Sequence, residues 1–400
     1  MKNLPILALA ALVLLAPLSR AADPFAEIPK KVQPFVDKNE ISGAVMMVAT
    51  KDRILHLSAV GVSDIATGRP MQTGDLFWIA SMSKPITALG VALLVDEGKL
   101  SFDDPVQKYL PEFRSQWVAQ ERTADRRVLV PAARPIQIRD LLTHTSGMGE
   151  YVVTDPHWTL AEMAKVVARE PLRFQPGARW AYSTAGLDVA GRVVEVVSGR
   201  PFAEFMQERL FNPLGMTHTT FWPTAEQDRS RARSYILNAA AHRLQETVIS
   251  YMYNGAITDN LRPALGGAGL FSTAEDVLKI YQMMLNRGVV DGRQLIKSEI
   301  LDEMTRNQIG SLTARPGMPW GYGFCVVTDP TKMAANNTLS PGSFGHGGAF
   351  GTNSWADPTR GLIYIFMISR DKIQPPNPDN SPMRQAYQEA AEAALAAGPK

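Results

Sequence analysis

Cysteine is almost absent from this sequence, which contains one, Cys325, in 400 residues. A single thiol cannot form a disulfide within the chain, so the class of small folds held together by cystine bridges is excluded. Cys325 lies in the strand-like run Gly323-Phe324-Cys325-Val326-Val327. We therefore predict that it is a small buried residue of the core.

Neither sign of charge is in excess, and the patterns of several other mechanisms are missing. Lys and Arg number 41 against 39 Asp and Glu, so we expect no nucleic-acid partner. The chain has no His-Glu-x-x-His and its six histidines are scattered, so we expect no metal and no other cofactor. It also has no Gly-x-Ser-x-Gly elbow, which disfavours an α/β-hydrolase.

Long apolar runs are missing after the first 22 residues. Residues 1–3 are a short basic start, residues 4–18 are apolar, and residues 19–21 end in a small residue before a cut after Ala21. This pattern is typical of a secretory signal peptide. A membrane anchor is the alternative, and the short run with Pro5 and Pro17 disfavours it. We expect segment 1–21 to be removed, which leaves a periplasmic or secreted protein without a stable membrane anchor.

The composition that remains is that of a soluble globular protein. Hydrophobic residues make up 45% of the chain and the mean hydropathy is -0.10, which suits one large or two coupled domains. Strand-like runs lie towards both ends, and helical patterns fill the middle. We expect an α/β (α+β) fold in which residues 24–110 and 260–400 form one half. A helical half, residues 111–259, is inserted between them, with the active site in the cleft.

Local patterns predict the individual elements. A hairpin is expected over 43–50 and 54–60, a charged irregular stretch over 112–134, and a capping box at Ser272 that opens a helix. The remaining expected helices are 81–98, 185–198, 201–211 and 381–397, and the remaining expected strands are 320–328, 345–356 and 362–369. The glycine-rich loop 265–270 does not fit a phosphate-binding spacing.

The most informative stretch is Ser81-Met82-Ser83-Lys84-Pro85, which precedes an apolar run that ends at Gly98. Proline is tolerated in the first turn of a helix, so Pro85 places the helix start beside Ser81. Residues three apart share a helix face, which places Lys84 next to the Ser81 hydroxyl. A Ser-x-x-Lys pair near a helix start is by itself a weak signal, because such a serine is usually a cap.

Two further motifs give the pair its meaning: Tyr182-Ser183-Thr184 and His346-Gly347-Gly348. Together the three motifs resemble those of the serine β-lactamase and penicillin-binding-protein superfamily. More narrowly they are similar to its class C-like branch, which includes family VIII carboxylesterases, D-stereospecific peptidases and acyltransferases. The resemblance covers about residues 24–395. It implies a β-lactamase/DD-peptidase-like fold with a central antiparallel sheet flanked by helices.

The resemblance also implies catalytic roles by position. Ser81 would be the acylated nucleophile, and Lys84 would be the base or share the proton with Tyr182. The backbone N–H groups of Ser81 and Ala349 would form the oxyanion hole. A lysine can act as a base near neutral pH when burial lowers its pKa, and backbone donors aimed at an oxyanion are a large catalytic contribution.

Two residues depart from the family pattern. Thr184 stands where the family usually has Asn, and His346 stands where it usually has Lys, a permanent cation that attracts a substrate carboxylate. Because histidine is mostly neutral at pH 7, both changes favour a less charged acyl substrate such as an ester. His346, Gly347, Gly348, Thr184 and Tyr151 are therefore the expected substrate-binding residues, whereas His144 is expected to be a structural turn residue.

The sequence thus predicts an exported serine hydrolase that works through an acyl-enzyme and acts on a small acyl substrate, with carboxylic esters first. A β-lactamase or a D-Ala-D-Ala carboxypeptidase or transpeptidase-like enzyme is the alternative. A sensor or scaffold that is acylated without turnover is an alternative of another class. The sequence leaves the oligomeric state open.

Overall fold

The computed structural model describes most of the chain, and the described residues are 23–123, 126–151, 155–238, 241, 243–249, 256–333, 335, 337–371 and 381–398. The predicted signal peptide and its cleavage site lie outside these ranges. Within the described ranges, no helix combines the length and apolar content needed to cross a bilayer.

Fifteen strands lie within the described residues, and many of them are very short. They are β1 (Gly43–Thr50), β2 (Ile54–Asp64), β3 (Arg69–Pro70), β4 (Phe77–Trp78), β5 (Trp117–Arg122), β6 (Arg127–Pro131), β7 (Tyr235–Asn238), β8 (Arg243–Glu246), β9 (Phe271–Ser272), β10 (Val289–Val290), β11 (Arg293–Gln294), β12 (Cys325–Val326), β13 (Phe344–Gly347), β14 (Asn353–Asp357) and β15 (Leu362–Met367).

Eleven α-helices accompany the strands in the same described ranges, together with short 3-10 turns. The helices are α1 (Glu27–Asp37), α2 (Ser83–Asp96), α3 (Ile138–Leu142), α4 (Leu160–Arg169), α5 (Ala185–Ser198), α6 (Phe202–Met206), α7 (Asn212–Leu214), α8 (Ala225–Arg229), α9 (Ala274–Leu285), α10 (Ser298–Met304) and α11 (Ser381–Ala397). One π-helical turn, Gln207–Phe211, joins α6 to α7.

Seven strands form one antiparallel sheet in the order β12-β13-β14-β15-β1-β2-β3. The centre of the sheet joins distant parts of the chain, because β1 pairs with β15 with Val45 opposite Met367. Successive side chains of a strand point to opposite faces. Accordingly Val45 and Met47 join the larger apolar core, whereas Met46 and Val48 join the second core on the other face. Helices α1 and α11 cover this second face.

Helix α2 is the central helix of the larger core. Apart from Ser83, Lys84, Thr87 and the terminal Asp96 it is apolar on all sides, and its residues from Ser83 to Leu94 are buried, as expected for a helix enclosed by other elements. It packs against α5, and α10 and the π-helical turn also contact it. Helix α2 therefore presents its N-terminal end, and the serine just before it, from a rigid and buried support.

The fold class is confirmed: a large antiparallel sheet is flanked by helices. Several elements also agree with the sequence, among them the β1–β2 hairpin, α5 and α11. Cys325 lies on β12 and is buried, as predicted. The division of the chain into two halves stays a prediction, although α3 to α8 all come from residues 111–259.

Four predicted elements were wrong in detail. The charged stretch 112–134 is not irregular, because it contains the β5–β6 hairpin. The predicted strand 345–356 is two strands, β13 and β14, joined by a turn at residues 348–352, and only 325–326 of the stretch 320–328 is a strand. The predicted helix 201–211 is interrupted, since α6 ends at Met206 and the π-helical turn follows.

The cap of α9 lies one residue later than predicted. Thr273, not Ser272, is the N-cap residue, and its hydroxyl accepts a hydrogen bond from the Asp276 N–H. Ser272 instead ends β9 and lies within hydrogen-bond distance of the Thr219 hydroxyl. Both residues are suitable caps, so the pairing of β9 with β4 decides which one opens the helix.

Candidate active site

Ser81 lies in a single 3-10 turn, Ala80–Met82, that leads directly into α2. Among residues 75–94, all of which the structure describes, Ser81 is the one that is not fully buried. The predicted proximity to Lys84 is observed, since Lys84 Nζ lies 3.1 Å from Ser81 Oγ. The regular helix begins two residues later than Ser81, but the 3-10 turn keeps the two side chains on one face.

The backbone before Ser81 is strained and braced. Ala80 has a φ of 46°, a conformation that costs a residue with a side chain about 1–2 kcal/mol. The Ser83 hydroxyl donates to the Ala80 carbonyl at 2.6 Å and accepts the Leu270 N–H at 3.1 Å. The second serine of the motif therefore holds the turn in place, and only the first is open to a reactant.

Lys84 is fully buried, and its ammonium group has a defined set of neighbours. Besides Ser81 Oγ, Nζ donates to the Gly267 carbonyl at 2.6 Å and lies 3.5 Å from Thr184 Oγ1. It also lies 4.9 Å from the centre of the Tyr182 ring. Burial lowers the pKa of Lys84 to about 8, and the negative charges of Asp188 and Glu150 oppose this shift. A neutral amine is thus available close to neutral pH.

The glycine-rich loop 265–270 supplies the carbonyl that binds Lys84. A Cβ on Gly267 would lie 2.5 Å from Thr184 Cγ2 and 2.8 Å from the Thr184 carbonyl oxygen, so no side chain fits there. The neighbouring Gly266 carbonyl accepts a hydrogen bond from Thr87 of α2 at 2.7 Å. The loop is wedged between α2 and α5, and its function in the site is to present backbone groups to the lysine.

Asp188, in the first turn of α5, is a buried carboxylate beside this loop. Its Oδ1 accepts the Gly267 N–H at 2.8 Å and its Oδ2 accepts the Tyr151 hydroxyl at 2.9 Å. Burial raises the pKa of Asp188 to about 6, while these two donors and the Lys84 charge oppose the rise. The Tyr151 hydroxyl is therefore engaged with Asp188, and its expected role in substrate binding stays a prediction.

The phenol of Tyr182 also neighbours the Ser81 hydroxyl. Burial raises the pKa of its phenol far above the usual value, and the neighbouring Ser81 hydroxyl partly opposes that rise. Its backbone is held on both sides by His144, whose carbonyl accepts the Ala181 N–H at 3.0 Å. His144 Nδ1 accepts the Ser183 N–H at 3.2 Å, and the His144 ring lies 4.4 Å from the Tyr182 ring.

His144 can hold Tyr182 in this way because of its conformation and its protonation state. Its φ of 62° turns the carbonyl and the ring towards the same segment. Burial, followed by the nearby Lys84 charge, lowers the pKa of His144 well below its usual value, so the ring is neutral and Nδ1 is free to accept. The sequence predicted a turn residue, and the structure adds that this turn positions Tyr182.

Aromatic rings surround Tyr182. Together with Tyr182 they form a set in which neighbouring ring centres lie 4.4 to 6.3 Å apart. The set comprises His144, Trp180, Tyr182, Trp320 and His346. The exposed Arg315 side chain covers the outer face of Trp320, with its guanidinium carbon 5.8 Å from the ring centre. This side of the site is an aromatic wall.

The third motif lies at the end of β13. His346 is buried, its ring centre lies 6.2 Å from that of Tyr182, and its Nδ1 lies 2.7 Å from the Gly347 carbonyl oxygen. A Cβ on Gly348 would lie 2.5 Å from the Ile79 carbonyl oxygen, so this chain segment passes directly over the turn that carries Ser81. Ala349 packs on the small cluster that contains Ala80.

The structure thus brings Ser81, Lys84, Tyr182 and Thr184 together and places the His346–Ala349 segment beside them. The Thr184 N–H donates to Glu150 Oε1 at 2.6 Å. Within the described residues, no cluster of His, Cys, Asp or Glu side chains is arranged to hold a metal ion. The catalytic and oxyanion-hole roles of these residues stay predictions, because geometry alone does not measure them.

Sequence reasoning missed Asp188, Gly267 and Glu150. Asp188 did leave a signal, because it is the single acidic residue in the apolar run Ala185–Gly191 at the start of a predicted buried helix. An isolated acidic residue in such a run is rarely left unpaired. Gly267 was noticed only as part of a loop without a phosphate-binding spacing, and its partner Lys84 is distant in the chain.

Comparisons with known proteins find a matching family model and similar sequences. A sequence model of the family described as Beta-lactamase matches residues 28–389. Esterase EstB from Burkholderia gladioli is 30% identical over 363 residues, which cover 83% of this chain and 87% of that protein. A putative D-alanyl-D-alanine carboxypeptidase from Escherichia coli K12 is 27% identical over 334 residues, which cover 78% and 72% of the two chains.

A solved structure has the same fold. EstCE1, described as a hydrolase with promiscuous acyltransferase activity, superposes with a TM-score of 0.76 at 25% sequence identity. The match covers 92% of this chain and 99% of that one. The similarity therefore extends over nearly the whole chain, including the large sheet and the helices that carry the site.

Proposed function

Because this chain belongs to the Beta-lactamase family and is a serine hydrolase of that fold, we propose that it hydrolyses carboxylic esters through an acyl-enzyme on Ser81. The observation that carries the proposal is the contact of 3.1 Å between the part-exposed Ser81 hydroxyl and the amine of the fully buried Lys84. A nucleophile needs a proton acceptor within hydrogen-bond reach, and Lys84 is that acceptor.

In the proposed first step, neutral Lys84 takes the Ser81 hydroxyl proton while the serine oxygen attacks the ester carbonyl carbon. The carbonyl π electrons move to its oxygen, and the N–H groups of Ser81 and Ala349 stabilise that oxyanion. The oxyanion then collapses, the carbon–oxygen bond to the alcohol breaks, and the leaving oxygen receives the proton from Lys84, directly or through Tyr182. Water repeats the sequence on the acyl-enzyme and releases the acid.

Lys84 is the better candidate for the base than Tyr182. Burial moves both pKa values in the direction that disfavours charge, which produces a neutral amine at lower pH and a phenolate only at higher pH. The phenol therefore stays protonated and can donate. We propose that Lys84 accepts the proton and that Tyr182 relays it to the leaving group.

The preference for esters rests on the aromatic side of the site. His346 is buried among rings, and Thr184 is close to Lys84. Because these residues are a histidine and a threonine, the site lacks the permanent lysine cation and the asparagine carboxamide expected for an anionic β-lactam or peptide. EstB and EstCE1, an esterase and a hydrolase by description, support this choice. The carboxypeptidase relative supports the alternative, an amide hydrolase acting on D-Ala-terminated peptides.

The test is a parallel measurement on the chain without residues 1–21. The substrates are p-nitrophenyl acetate and butyrate, a chromogenic cephalosporin, and a peptide that ends in D-Ala-D-Ala. We expect the highest kcat/KM with one of the esters. Faster cleavage of the cephalosporin or of the peptide would overturn the ester assignment, and a single burst equivalent without turnover would indicate a sensor.

We also propose that the protein is exported. The support is the sequence of residues 1–21, with a basic start, an apolar run and a small residue before the cut. Expression of the full chain in a bacterial host should give a protein whose N-terminal sequence starts at Ala22. A membrane-bound product that starts at Met1 would contradict the proposal.

A further inference from the structure

We propose that Asp188 is the positioning residue for Lys84: its carboxylate orients the loop carbonyl that binds the ammonium and supplies the buried negative charge that sets the pH at which the base forms. This inference rests on the proposed function, because it assigns the partner of the base in that same site. It adds a residue from outside the three sequence motifs.

The first support is a continuous chain of short contacts. Asp188 Oδ1 accepts the Gly267 N–H at 2.8 Å, and the Gly267 carbonyl accepts from Lys84 Nζ at 2.6 Å. Both polar groups of one glycine are thus used, one towards the carboxylate and the other towards the amine. Because Thr184 leaves no space for a side chain at this position, the loop is held at close range to both partners.

The second support is that the surroundings of Asp188 suit its ionised form. Its side chain is almost fully buried, and its two oxygens each accept a hydrogen bond, from the Gly267 N–H and from the Tyr151 hydroxyl. An ionised carboxylate is an acceptor only, and both contacts come from donors. A buried carboxylate is costly unless it is paired and hydrogen-bonded, and the buried Lys84 ammonium is the opposite charge at this site.

The other charged and titratable groups around Lys84 do not replace Asp188. Glu150, which follows α3, also opposes the lowering of the Lys84 pKa, but its side chain is exposed and water screens its charge. Tyr182 and His144 are neutral near pH 7 for the reasons given above. Arg315 acts on Tyr182 and His144 from the rim. Asp188 is therefore the buried anion whose negative charge acts on the Lys84 amine.

The sign of the effect follows from the charges. An anion beside an ammonium favours its charged form, so the Asp188 carboxylate keeps the Lys84 pKa higher than burial alone would leave it. Without that charge, Lys84 would lose its proton at a lower pH. The acid limb of the kcat/KM profile, which we expect near pH 8, would then move to lower pH.

The substitution Asp188→Asn tests the charge while it keeps the shape. The new amide can accept the Gly267 N–H through its oxygen and donate to the Tyr151 oxygen through its nitrogen. We expect the acid limb for p-nitrophenyl butyrate to move down by about one pH unit. Thr87→Val is the matched control, because it removes a buried hydrogen bond to the adjacent Gly266 carbonyl and leaves the Asp188 charge and both Gly267 contacts in place, so its acid limb should stay where it is.

A second readout separates this inference from the proposed function. The rate at which a fluorophosphonate labels Ser81 is measured on the same pH grid, and it requires activation of the serine but no ester turnover. A downward shift of the labelling profile in Asp188→Asn supports the inference even if no ester is a substrate. A profile that does not move, in a variant with unchanged circular dichroism, would overturn it.

If Asp188→Asn does not fold, the interaction between Asp188 and Lys84 is tested by changing Lys84 instead. A ¹³C NMR titration of the unmodified chain should show one aspartate carboxyl with a raised pKa of about 6. In Lys84→Met the ammonium that opposes this rise is gone, so that pKa should increase further. An aspartate pKa that is the same in both proteins would overturn the pairing.

Discussion

The residues on the two sides of Ser81 differ in chemistry: charged and polar groups lie around Lys84, and aromatic rings lie around Tyr182. On the Lys84 side lie an amine, a carboxylate and backbone groups of the glycine-rich loop, joined through Gly267 by hydrogen bonds of 2.6 and 2.8 Å. On the Tyr182 side lie five aromatic rings, one of them His144, whose neutral Nδ1 accepts a backbone N–H. In the proposed mechanism the site separates two tasks: charges on one side govern the proton, and rings on the other position the phenol.

Removal of the nucleophile should have the largest effect, because both sides act on it. Ser81→Ala should lower kcat by about 10⁴-fold or more, since no acyl-enzyme can form. The measurement is ester turnover, together with mass spectrometry after fluorophosphonate treatment, which should find the adduct on the Ser81 peptide of the unmodified chain. A label on Ser146, Ser183 or Ser343 would contradict the assignment.

The matched control is Ser83→Ala, which removes the neighbouring hydroxyl of the same motif. Ser83 holds the strained Ala80 turn and the Leu270 N–H, so its loss should cost about 1–3 kcal/mol in the free energy of unfolding. Denaturant unfolding measures that cost. Fluorophosphonate should still label Ser81 in this variant, which separates the supporting serine from the reacting one.

The next effect tests whether the two sides work as one unit. Lys84→Ala and Tyr182→Phe should each lower kcat by about 10²–10⁴-fold, the usual contribution of general acid–base catalysis. The double variant should be barely worse than the worse single variant, because each side needs the other to move the same proton. Losses that multiply would show two independent contributions and would remove the shared-proton model.

A smaller effect is expected at His144, which positions one side only. His144→Leu removes the acceptor for the Ser183 N–H, so Tyr182 should lose its position and kcat should fall about tenfold with little change in KM. His144→Asn places an oxygen near the former Nδ1 and tolerates a positive φ, so it should recover part of the loss. Equal losses in both variants would argue against a role in positioning.

An effect of similar size, limited to one class of substrate, is expected from a change on the aromatic side. His346→Lys should raise kcat/KM for a chromogenic cephalosporin about tenfold, since a charge pair at a few ångströms in a partly wet cleft contributes about 1–4 kcal/mol. The ester rate should change less, because a neutral ester gains no charge pair. His346→Gln, which adds no cation, is the control, and an equal gain there would exclude a charge effect.

Local features could be predicted from the sequence, and long-range contacts could not. The Ser81–Lys84 contact depends on the geometry of one turn, and Pro85 marks where the helix begins. Asp188 and Gly267 escaped prediction because their contacts join segments far apart in the chain, which no local pattern encodes. The β5–β6 hairpin was missed for a different reason. Its charged residues, such as Glu121 and Arg127, belong to an exposed ribbon and lack the apolar alternation that marks a strand.

The third motif shows the same limit. A single strand was predicted over residues 345–356, although the stretch contains four glycines. The turn between β13 and β14 depends on Gly351, with a φ of 96°, and on the Gly348 N–H, which donates to the Thr352 carbonyl at 2.7 Å. This turn bends the chain over Ile79, so the placement of Ala349 against the cluster that contains Ala80 required the structure.

The pairing of β1 with β15 also has a consequence for how the molecule forms. During synthesis, β1 and its hairpin partner β2 emerge well before Met367, the residue opposite Val45. Contacts between such distant segments slow folding, because a long loop must close before the contact is gained. The central pairing of the sheet, and with it the rigid support of the site, is therefore expected only after β15 has been made.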